Sequence, residues 1–154
     1  MYVTIQYKDV NRQFEEYSEL SDFINYDQDG NDDEKADKIK IISISDDLPE
    51  LSDITELIEV WEFLDDLDEQ EREIALERYN DIGCDISDWD DDYLGVYDSW
   101  QDYIEQYVGE CVLSELPERY QYYFDTESFG RDVRYEGFHS IYELNSGDVA
   151  IYHN

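Results

Sequence analysis

The sequence predicts an α+β fold of three small subdomains that together form an elongated body. Short segments rich in β-forming residues lie on both sides of a central region, at residues 2–7, 38–45, 92–98, 138–144 and 148–153. In the central region, apolar residues instead recur with the spacing of amphipathic helices. No segment rich in Pro, Gly or Ser separates these parts, so we expect them to be continuous. The predicted boundaries are residues 1–46 for a β-rich N-terminal α+β subdomain, 47–90 for an acidic helical middle subdomain and 91–154 for a C-terminal α+β subdomain with a closing hairpin.

The N-terminal subdomain is predicted to contain strands and one brief helix. Residues 2–7 (YVTIQY) alternate in polarity as a strand does, and residues 14–26 are predicted to form a short strand or turn that leads into a helix. The polar residues 27–37 (DQDGNDDEKAD) are predicted to form a loop. Residues 38–45 (KIKIISIS) are then predicted to form a strand with one face made of Ile39, Ile41 and Ser43.

The middle subdomain is predicted to consist of two helices. The apolar face of the first helix has the i, i+3, i+4, i+7, i+10 pattern and comprises Ile54, Leu57, Ile58, Trp61 and Leu64. Asp53 and Glu56 have the spacing of a capping box at its start. The same spacing recurs at Asp68 and Glu71, and a second helix is predicted to run from there to Gly83.

The C-terminal subdomain is predicted to begin with a strand over residues 92–98 and a helix capped by Ser99. One face of this helix is apolar and comprises Trp100, Tyr103, Ile104, Tyr107, Val108 and Cys111. Pro117 suits the first turn of a further helix, and one or two short helices are expected up to residue 133. Residues 138–144 and 148–153 are predicted to pair as the closing hairpin.

The charge of the chain is strongly negative and unevenly placed. There are 43 acidic and 10 basic residues, which gives a formal net charge of −33. Residues 46–71 and 79–118 contain no Lys or Arg. Like charges three or four residues apart destabilise a helix by about 0.2–0.5 kcal/mol per pair, so the acids are not explained by stability. This balance argues against direct binding to nucleic acid or to an anionic membrane, and it favours a basic partner.

Part of the polar loop resembles a calcium-binding loop. Plausible positions 1, 3, 5, 6, 7 and 9 of such a loop are occupied by Asn25, Asp27, Asp29, Gly30, Asn31 and Asp33. Position 12, which supplies a bidentate carboxylate in such loops, is Ala36. Because alanine cannot coordinate a metal ion through its side chain, a solvated acidic turn is favoured over a calcium site. We predict that the protein binds no metal and no other cofactor.

The sequence contains no recognisable catalytic motif. P-loop, GxGxxG, HExxH and kinase signatures are absent, and residues 126–130 (TESFG) lack the first Gly of a nucleophile elbow. His139 and His153 lie in no catalytic pattern, and Cys84 and Cys111 are too far apart for a CxxC site. We therefore predict reduced structural thiols and a protein that is not an enzyme.

The sequence indicates a cytoplasmic, soluble protein. The N-terminal residues MYVTIQYKDV lack the charged and apolar regions of a signal peptide, and no apolar run approaches the length of a transmembrane helix.

Residues 116–132 carry a more specific pattern. The pattern begins with Leu-Pro, which is followed by a short helical segment. Next come two aromatic residues and an Asp, and the pattern ends with an aromatic residue followed by Gly-Arg-Asp. With the preceding residues 93–111 (YLGVYDSWQDYIEQYVGEC), this pattern resembles that of the ArdA antirestriction proteins of plasmids, transposons and phages. The resemblance is good over residues 90–154 and only general over 1–46. Thr126 and Ser128 stand where this family usually has Tyr and Ala.

The resemblance implies a dimer that forms through the signature and a surface that imitates the phosphates of bent B-form DNA. Its partner would be a type I restriction-modification enzyme, bound at the methyltransferase and specificity subunits in the cytoplasm of a bacterium that carries a mobile element or phage. The signature residues are Leu116, Pro117, Tyr123, Phe124, Asp125, Glu127, Phe129, Gly130, Arg131 and Asp132. The phosphate-imitating carboxylates, here called the acidic series, are Glu50, Asp53, Glu56, Glu59, Glu62, Asp65, Asp68, Asp85, Asp88, Asp90, Asp91, Asp92, Asp98, Asp102 and Glu105.

The amount of charge agrees with this hypothesis. Duplex DNA carries about one charge per 1.7 Å of axis, so a charge of −33 corresponds to about 56 Å of duplex and a dimer to about 112 Å. Three alternatives remain open on the sequence alone. The acids could serve only solubility or a salt-adapted host, the protein could be an acidic chaperone or adaptor for basic proteins, or it could inhibit a different DNA-binding defence system.

Overall fold

The computed structural model describes residues 1–25 and 33–154, with the side chains of all of these except Asp33 and Glu34. It confirms the predicted α+β fold. The chain forms two compact units, an N-terminal unit over Met1–Trp89 and a C-terminal unit over Asp90–Asn154. Each unit contains a three-stranded antiparallel sheet. The further division of the first unit near residue 46 stays a prediction.

The sheet of the N-terminal unit begins with a tight hairpin. Strands β1 (Val3–Tyr7) and β2 (Val10–Phe14) are joined by two residues, Lys8 and Asp9, whose φ angles are 49° and 59°. Two left-handed residues are the backbone of a type I′ turn, which matches the twist of the flanking strands. The sequence gives no clear signal for β2, because this turn usually carries Asn-Gly and here it carries Lys-Asp.

Strand β3 (Lys40–Ile44) completes this sheet, whose order is β2-β1-β3. The predicted face of Ile39, Ile41 and Ser43 is wrong at its last position, because Ser43 is exposed and Ile44 is half-buried instead. The pairing with β1 shifts between Thr4 and Ile5, so β3 carries one extra residue there. Such a bulge moves the following side chains to the opposite face of the sheet.

The described residues of the N-terminal unit form four helices and one 3₁₀ turn. Helix α1 (Tyr17–Asn25) precedes a single turn, α2 (Asp33–Ala36), which replaces the end of the predicted loop. Helices α3 (Ile54–Asp65) and α4 (Glu69–Ile82) follow β3, and a 3₁₀ turn (Ile86–Asp88) ends this part of the chain. The core includes the almost fully buried side chains Val3, Ile5, Leu20, Leu57, Trp61, Leu64 and Ile74.

Both predicted helix starts of the middle region are confirmed. The Asp53 carboxylate accepts hydrogen bonds from the Thr55 and Glu56 amides. At the second helix the capping box is reciprocal, since Asp68 accepts from the Glu71 amide at 2.8 Å and the Glu71 carboxylate accepts from the Asp68 amide at 3.1 Å. Helix α4 ends at Gly83, whose φ of 65° is the usual left-handed terminus.

The C-terminal unit has a sheet of order β4-β6-β5, formed by β4 (Tyr93–Tyr97), β5 (His139–Glu143) and β6 (Val149–His153). Strands β5 and β6 form the predicted closing hairpin. Helix α5 (Trp100–Tyr107) begins at Ser99 as predicted and continues into a π turn (Val108–Val112) and a 3₁₀ turn (Leu113–Glu115). Helices α6 (Glu118–Gln121) and α7 (Thr126–Glu136) lead to β5, with Pro117 immediately before α6.

The core of this unit lies between α5 and the sheet. It comprises Tyr103, Ile104, Val108, Val149 and Ile151. The predicted apolar face of α5 is correct for the first three of these residues and for half-buried Trp100, but Tyr107 and Cys111 are exposed. Cys111 departs because the backbone widens to a π turn after Tyr107, which changes the direction of the following side chains.

Within the described parts of the chain, no helix combines the length and the apolar character that crossing a membrane requires.

Candidate functional site

All members of the acidic series in the N-terminal unit are exposed. They lie before α3, along α3, at the start of α4 and beside the 3₁₀ turn, and they are Glu50, Asp53, Glu56, Glu59, Glu62, Asp65, Asp68, Asp85 and Asp88. Their exposure follows from the amphipathic pattern, because the opposite side of α3 is occupied by apolar residues that are buried in the core.

The acids along α3 form a ribbon that winds around the helix. An α-helix turns about 100° per residue, so carboxylates three residues apart are displaced by about 60° around the axis. Glu56, Glu59, Glu62 and Asp65 therefore cover about half of the circumference of α3. A ribbon of this kind presents charge in several directions around the helix.

Two phenol groups show how negative this region is. The pKa of Tyr17, on α1, is raised mainly by the charge of Glu62, with smaller effects from partial burial and from Asp66 and Asp65. The pKa of Tyr79, on α4, is raised first by burial and then by the charge of Glu56. Carboxylates of α3 thus act on groups of both neighbouring helices.

Asp85 is held in its ionised form by local hydrogen bonds. Its carboxylate accepts from the Ser87 amide at 3.0 Å and from the Ser87 hydroxyl at 2.8 Å. These two bonds lower the pKa of Asp85. Asp85 therefore combines two roles, as the cap of the 3₁₀ turn and as a fixed negative charge.

Several basic side chains of the N-terminal unit are directed into the protein. Lys35 and Arg78 are each only 7% exposed. The Lys35 ammonium donates to the Phe23 carbonyl and lies 4.2 Å from the centre of the Phe23 ring. Arg72 donates to the carbonyl oxygens of Leu64 at 2.9 Å and Leu67 at 3.1 Å, at the end of α3. The exposed surface of this unit consequently has a larger excess of acid than the sequence alone indicates.

The acidic series continues along the start of the C-terminal unit, and all of its members there are exposed. They are Asp90, Asp91, Asp92, Asp98, Asp102 and Glu105. Asp102 and Glu105 lie on α5 beside the buried residues Tyr103 and Ile104. The Ser99 hydroxyl donates to the Asp102 carboxylate, and the Asp102 amide donates back to Ser99, so the first turn of α5 fixes this acid.

The signature residues of the C-terminal unit divide between core and surface. Leu116, Phe124 and Phe129 are half-buried and Gly130 is buried. The exposed members are Pro117, Tyr123, Asp125, Glu127, Arg131 and Asp132. Asp125 caps α7 by accepting from the Ser128 amide at 3.0 Å and the Ser128 hydroxyl at 2.7 Å, and these bonds lower the pKa of its carboxyl group.

Gly130 allows α7 to approach α5 closely. A Cβ atom at this position would lie 2.8 Å from Cγ2 of Ile104, which is fully buried. The Trp100 indole also donates to the Gly130 carbonyl at 3.0 Å. The glycine of the signature is therefore a packing residue, a role that could not be assigned from the sequence because Ile104 lies far from it in the chain.

Exposed aromatic side chains surround the signature. Tyr120, Tyr122 and Tyr123, here called the tyrosine patch, are 50%, 91% and 78% exposed. Of these, only Tyr123 was among the predicted site residues. The run of four aromatic residues among five, from Tyr120 to Phe124, is the sequence signal that could have indicated the patch. Large exposed apolar patches often mark contact surfaces.

No group of three or more His, Cys, Asp or Glu side chains in the described parts of the chain is placed to hold a metal ion. Most of the residues that resemble a calcium loop (Asp27, Asp29, Gly30 and Asn31) lie outside the described residues, and the side chain of Asp33 does as well.

Comparison of the whole sequence with known proteins gives a family assignment. A search of curated proteins found no match. A family model described as "Antirestriction protein (ArdA)" matches residues 3–144, which include the signature and most of each unit. Because this match extends over most of the 154 residues, the chain belongs to the ArdA family of antirestriction proteins.

Proposed function

We propose that this protein inhibits type I restriction-modification enzymes by mimicking DNA. The acidic series occupies the positively charged channel that the methyltransferase and specificity subunits use for duplex DNA, inside the bacterial cytoplasm. The observation that supports this most directly is that every member of the series is exposed, while Lys35 and Arg78 are buried. Partners that neutralise DNA phosphates with Lys and Arg can pair with carboxylates in the same way.

The proposed inhibition is competitive and requires neither catalysis nor a cofactor. A carboxylate surface and duplex DNA cannot occupy one channel at the same time, so binding of the two should be mutually exclusive. Because the attraction is between exposed charges, affinity should fall as salt increases.

We also infer that two chains associate through the signature region. Two chains of −33 repel one another, so association needs apolar contact area, and the tyrosine patch provides it. Light scattering of the variant Tyr122→Ser/Tyr123→Ser should give the monomer mass of 18.5 kDa where the unchanged protein gives twice that mass. Tyr135→Ser is the matched control, because Tyr135 is 83% exposed and lies outside the patch.

The central test uses amides in place of the α3 acids. The variant Glu56→Gln/Glu59→Gln/Glu62→Gln/Asp65→Asn keeps side-chain size and removes four charges from the ribbon. Its affinity for a purified type I methyltransferase should fall, while its stability should rise by a few tenths of a kcal/mol for each repulsive pair removed. Isothermal titration and urea unfolding in one buffer measure the two effects.

A charge-matched control distinguishes binding that depends on where the acids lie from binding that depends only on the total negative charge. The variant Glu15→Gln/Glu16→Gln/Glu19→Gln/Asp22→Asn removes four exposed charges from and beside α1, outside the acidic series. If the protein mimics DNA, this control should bind the type I methyltransferase much more tightly than the α3 variant does. Equal losses would contradict the proposal and favour an acidic adaptor that binds basic proteins through total charge.

A further inference from the structure

The C-terminal unit has an open groove that phosphate mimicry does not require. Its volume is about 730 Å³, and residues of β4, α5, the π turn, α7 and the start of β5 line it. A volume of this size accommodates one or two large side chains of another molecule.

The floor of the groove is apolar and rich in aromatic rings. Tyr107 is 41% exposed and stacks on Phe129, with ring centres 6.4 Å apart and planes inclined by 5°. Phe138 is 55% exposed and Leu94 is 39% exposed. Contact with an apolar side chain would remove these surfaces from water, which is favourable at about 25 cal/mol per Å².

The rim of the groove is negatively charged. Glu110, Asp132 and Glu136 are exposed around it, and its lining residues include no Lys or Arg. The basic groups in the lining are the imidazoles of His139 and His153, which meet edge to face with ring centres 5.4 Å apart. Burial, followed by the charge of His153, lowers the pKa of His139, which disfavours a positive charge on this ring.

We propose that this groove binds a segment of a partner protein in which an aromatic or large aliphatic side chain is flanked by Lys or Arg. The apolar floor receives the uncharged side chain, and the acidic rim pairs with the bases on either side of it. Apolar contact supplies specificity that the acidic series lacks, because carboxylates bind any well-placed cation.

Charge and position argue against the other occupants. A nucleic acid would bring phosphates against the acidic rim. A second copy of this chain is proposed above to associate through the tyrosine patch, and none of the three tyrosines of that patch lines the groove. The segment from Arg119 to Tyr120 is preceded by Glu118, and the Arg119 guanidinium lies on its own tyrosine ring, 4.7 Å from the ring centre.

The experiment uses two blocked tetrapeptides of equal charge, acetyl-Lys-Trp-Leu-Arg-amide and acetyl-Lys-Ser-Ser-Arg-amide. We expect titration of the full chain at moderate salt to give a dissociation constant for the Trp-Leu peptide that is at least about tenfold lower than that for the Ser-Ser peptide. Burial of one large apolar side chain is sufficient for such a ratio. The amide signals of Tyr107, Asp132 and Phe138 should shift in NMR spectra during the titration.

Three variants test the apolar floor and the acidic rim of the groove separately. Phe138→Ser should reduce the difference between the peptides. Glu110→Gln/Asp132→Asn/Glu136→Gln should weaken binding of both, whereas the charge-matched control Glu115→Gln/Glu118→Gln/Glu143→Gln, made of exposed acids outside the groove, should not. Circular dichroism verifies that each variant is folded.

The amide variant of α3 separates this inference from the proposed function. Loss of enzyme binding in that variant with retention of the apolar peptide would support an independent groove. The inference is overturned if the two peptides bind equally, or if both triple variants lose affinity to the same extent. It is also overturned if Phe138→Ser turns a dimer into a monomer and the unchanged dimer does not bind the apolar peptide, because the groove is then occupied by a second copy.

Discussion

Replacing Gly130 by alanine should destabilise the C-terminal unit, although alanine is the better helix former. The added methyl group would lie 2.8 Å from Cγ2 and 3.1 Å from Cγ1 of Ile104. Favourable contacts between carbon atoms are about 3.5–4.0 Å, so either Ile104 must leave its rotamer or α7 must move away from α5.

The size of the effect follows from three contributions. Overpacking of this kind costs about 1–3 kcal/mol. Helix propensity returns about 1 kcal/mol when glycine becomes alanine. Movement of α7 would also weaken the bond from the Trp100 indole to the Gly130 carbonyl, worth about 0.5–1.5 kcal/mol. We therefore expect a net loss of about 0.5–3.5 kcal/mol in the free energy of unfolding.

Urea unfolding followed by circular dichroism measures this loss, and Gly109→Ala is the matched control. Gly109 is exposed in the π turn, and a Cβ atom there would meet nothing within 4 Å. This control should be neutral or slightly stabilising. In an Ile104→Ala background, Gly130→Ala should cost much less, because the clashing atoms are gone. Stability of Gly130→Ala equal to that of the unchanged protein would refute the steric argument.

Three further predictions concern single sites. Asp68→Ala should lower the free energy of unfolding by about 1 kcal/mol because it removes the capping box, whereas Asp68→Ser removes the same charge but keeps a good cap and should cost little in the same urea assay. Because burial lowers the pKa of His139 below its usual 6.5, the unfolded chain binds that proton more readily. The unchanged protein should therefore lose stability relative to His139→Gln as pH falls below about 6.5, and parallel pH profiles of the two proteins would contradict this. Calcium or EDTA should leave the melting temperature unchanged, because Ala36 cannot supply the twelfth ligand of a calcium loop; a rise of several degrees in calcium would contradict this.

The elements that the sequence predicts well have signals within a few residues of each other. Ser99, Asp53 and Asp68 each cap a helix that begins at the next residue, and Gly83 ends one. The exposure of the acids on α3 and α5 also follows from local periodicity, because an apolar stripe on one side of a helix leaves the other side to solvent.

The features that were missed depend on contacts between distant residues or on rare backbone geometry. The bulge in β3 is defined by its pairing with β1, and the role of Gly130 depends on Ile104. The hairpin turn at Lys8 and Asp9 uses a residue pair that seldom adopts left-handed angles. The groove of the C-terminal unit combines residues from Leu94 to His153, so no local pattern indicates it.

The bonds from Arg72 connect the folding of α3 to that of α4. Helix α3 has 12 residues, carries Asp65 and Asp66 at its negative C-terminal end and has no basic residue in its last turn. A helix of this length is marginal alone in water, so the segment is a poor nucleus. The Leu64 and Leu67 carbonyls gain the Arg72 guanidinium as a donor only after the chain has reversed and α4 has formed. We therefore expect the two helices to form together, so that Arg72→Met slows refolding in stopped-flow experiments as well as speeding unfolding.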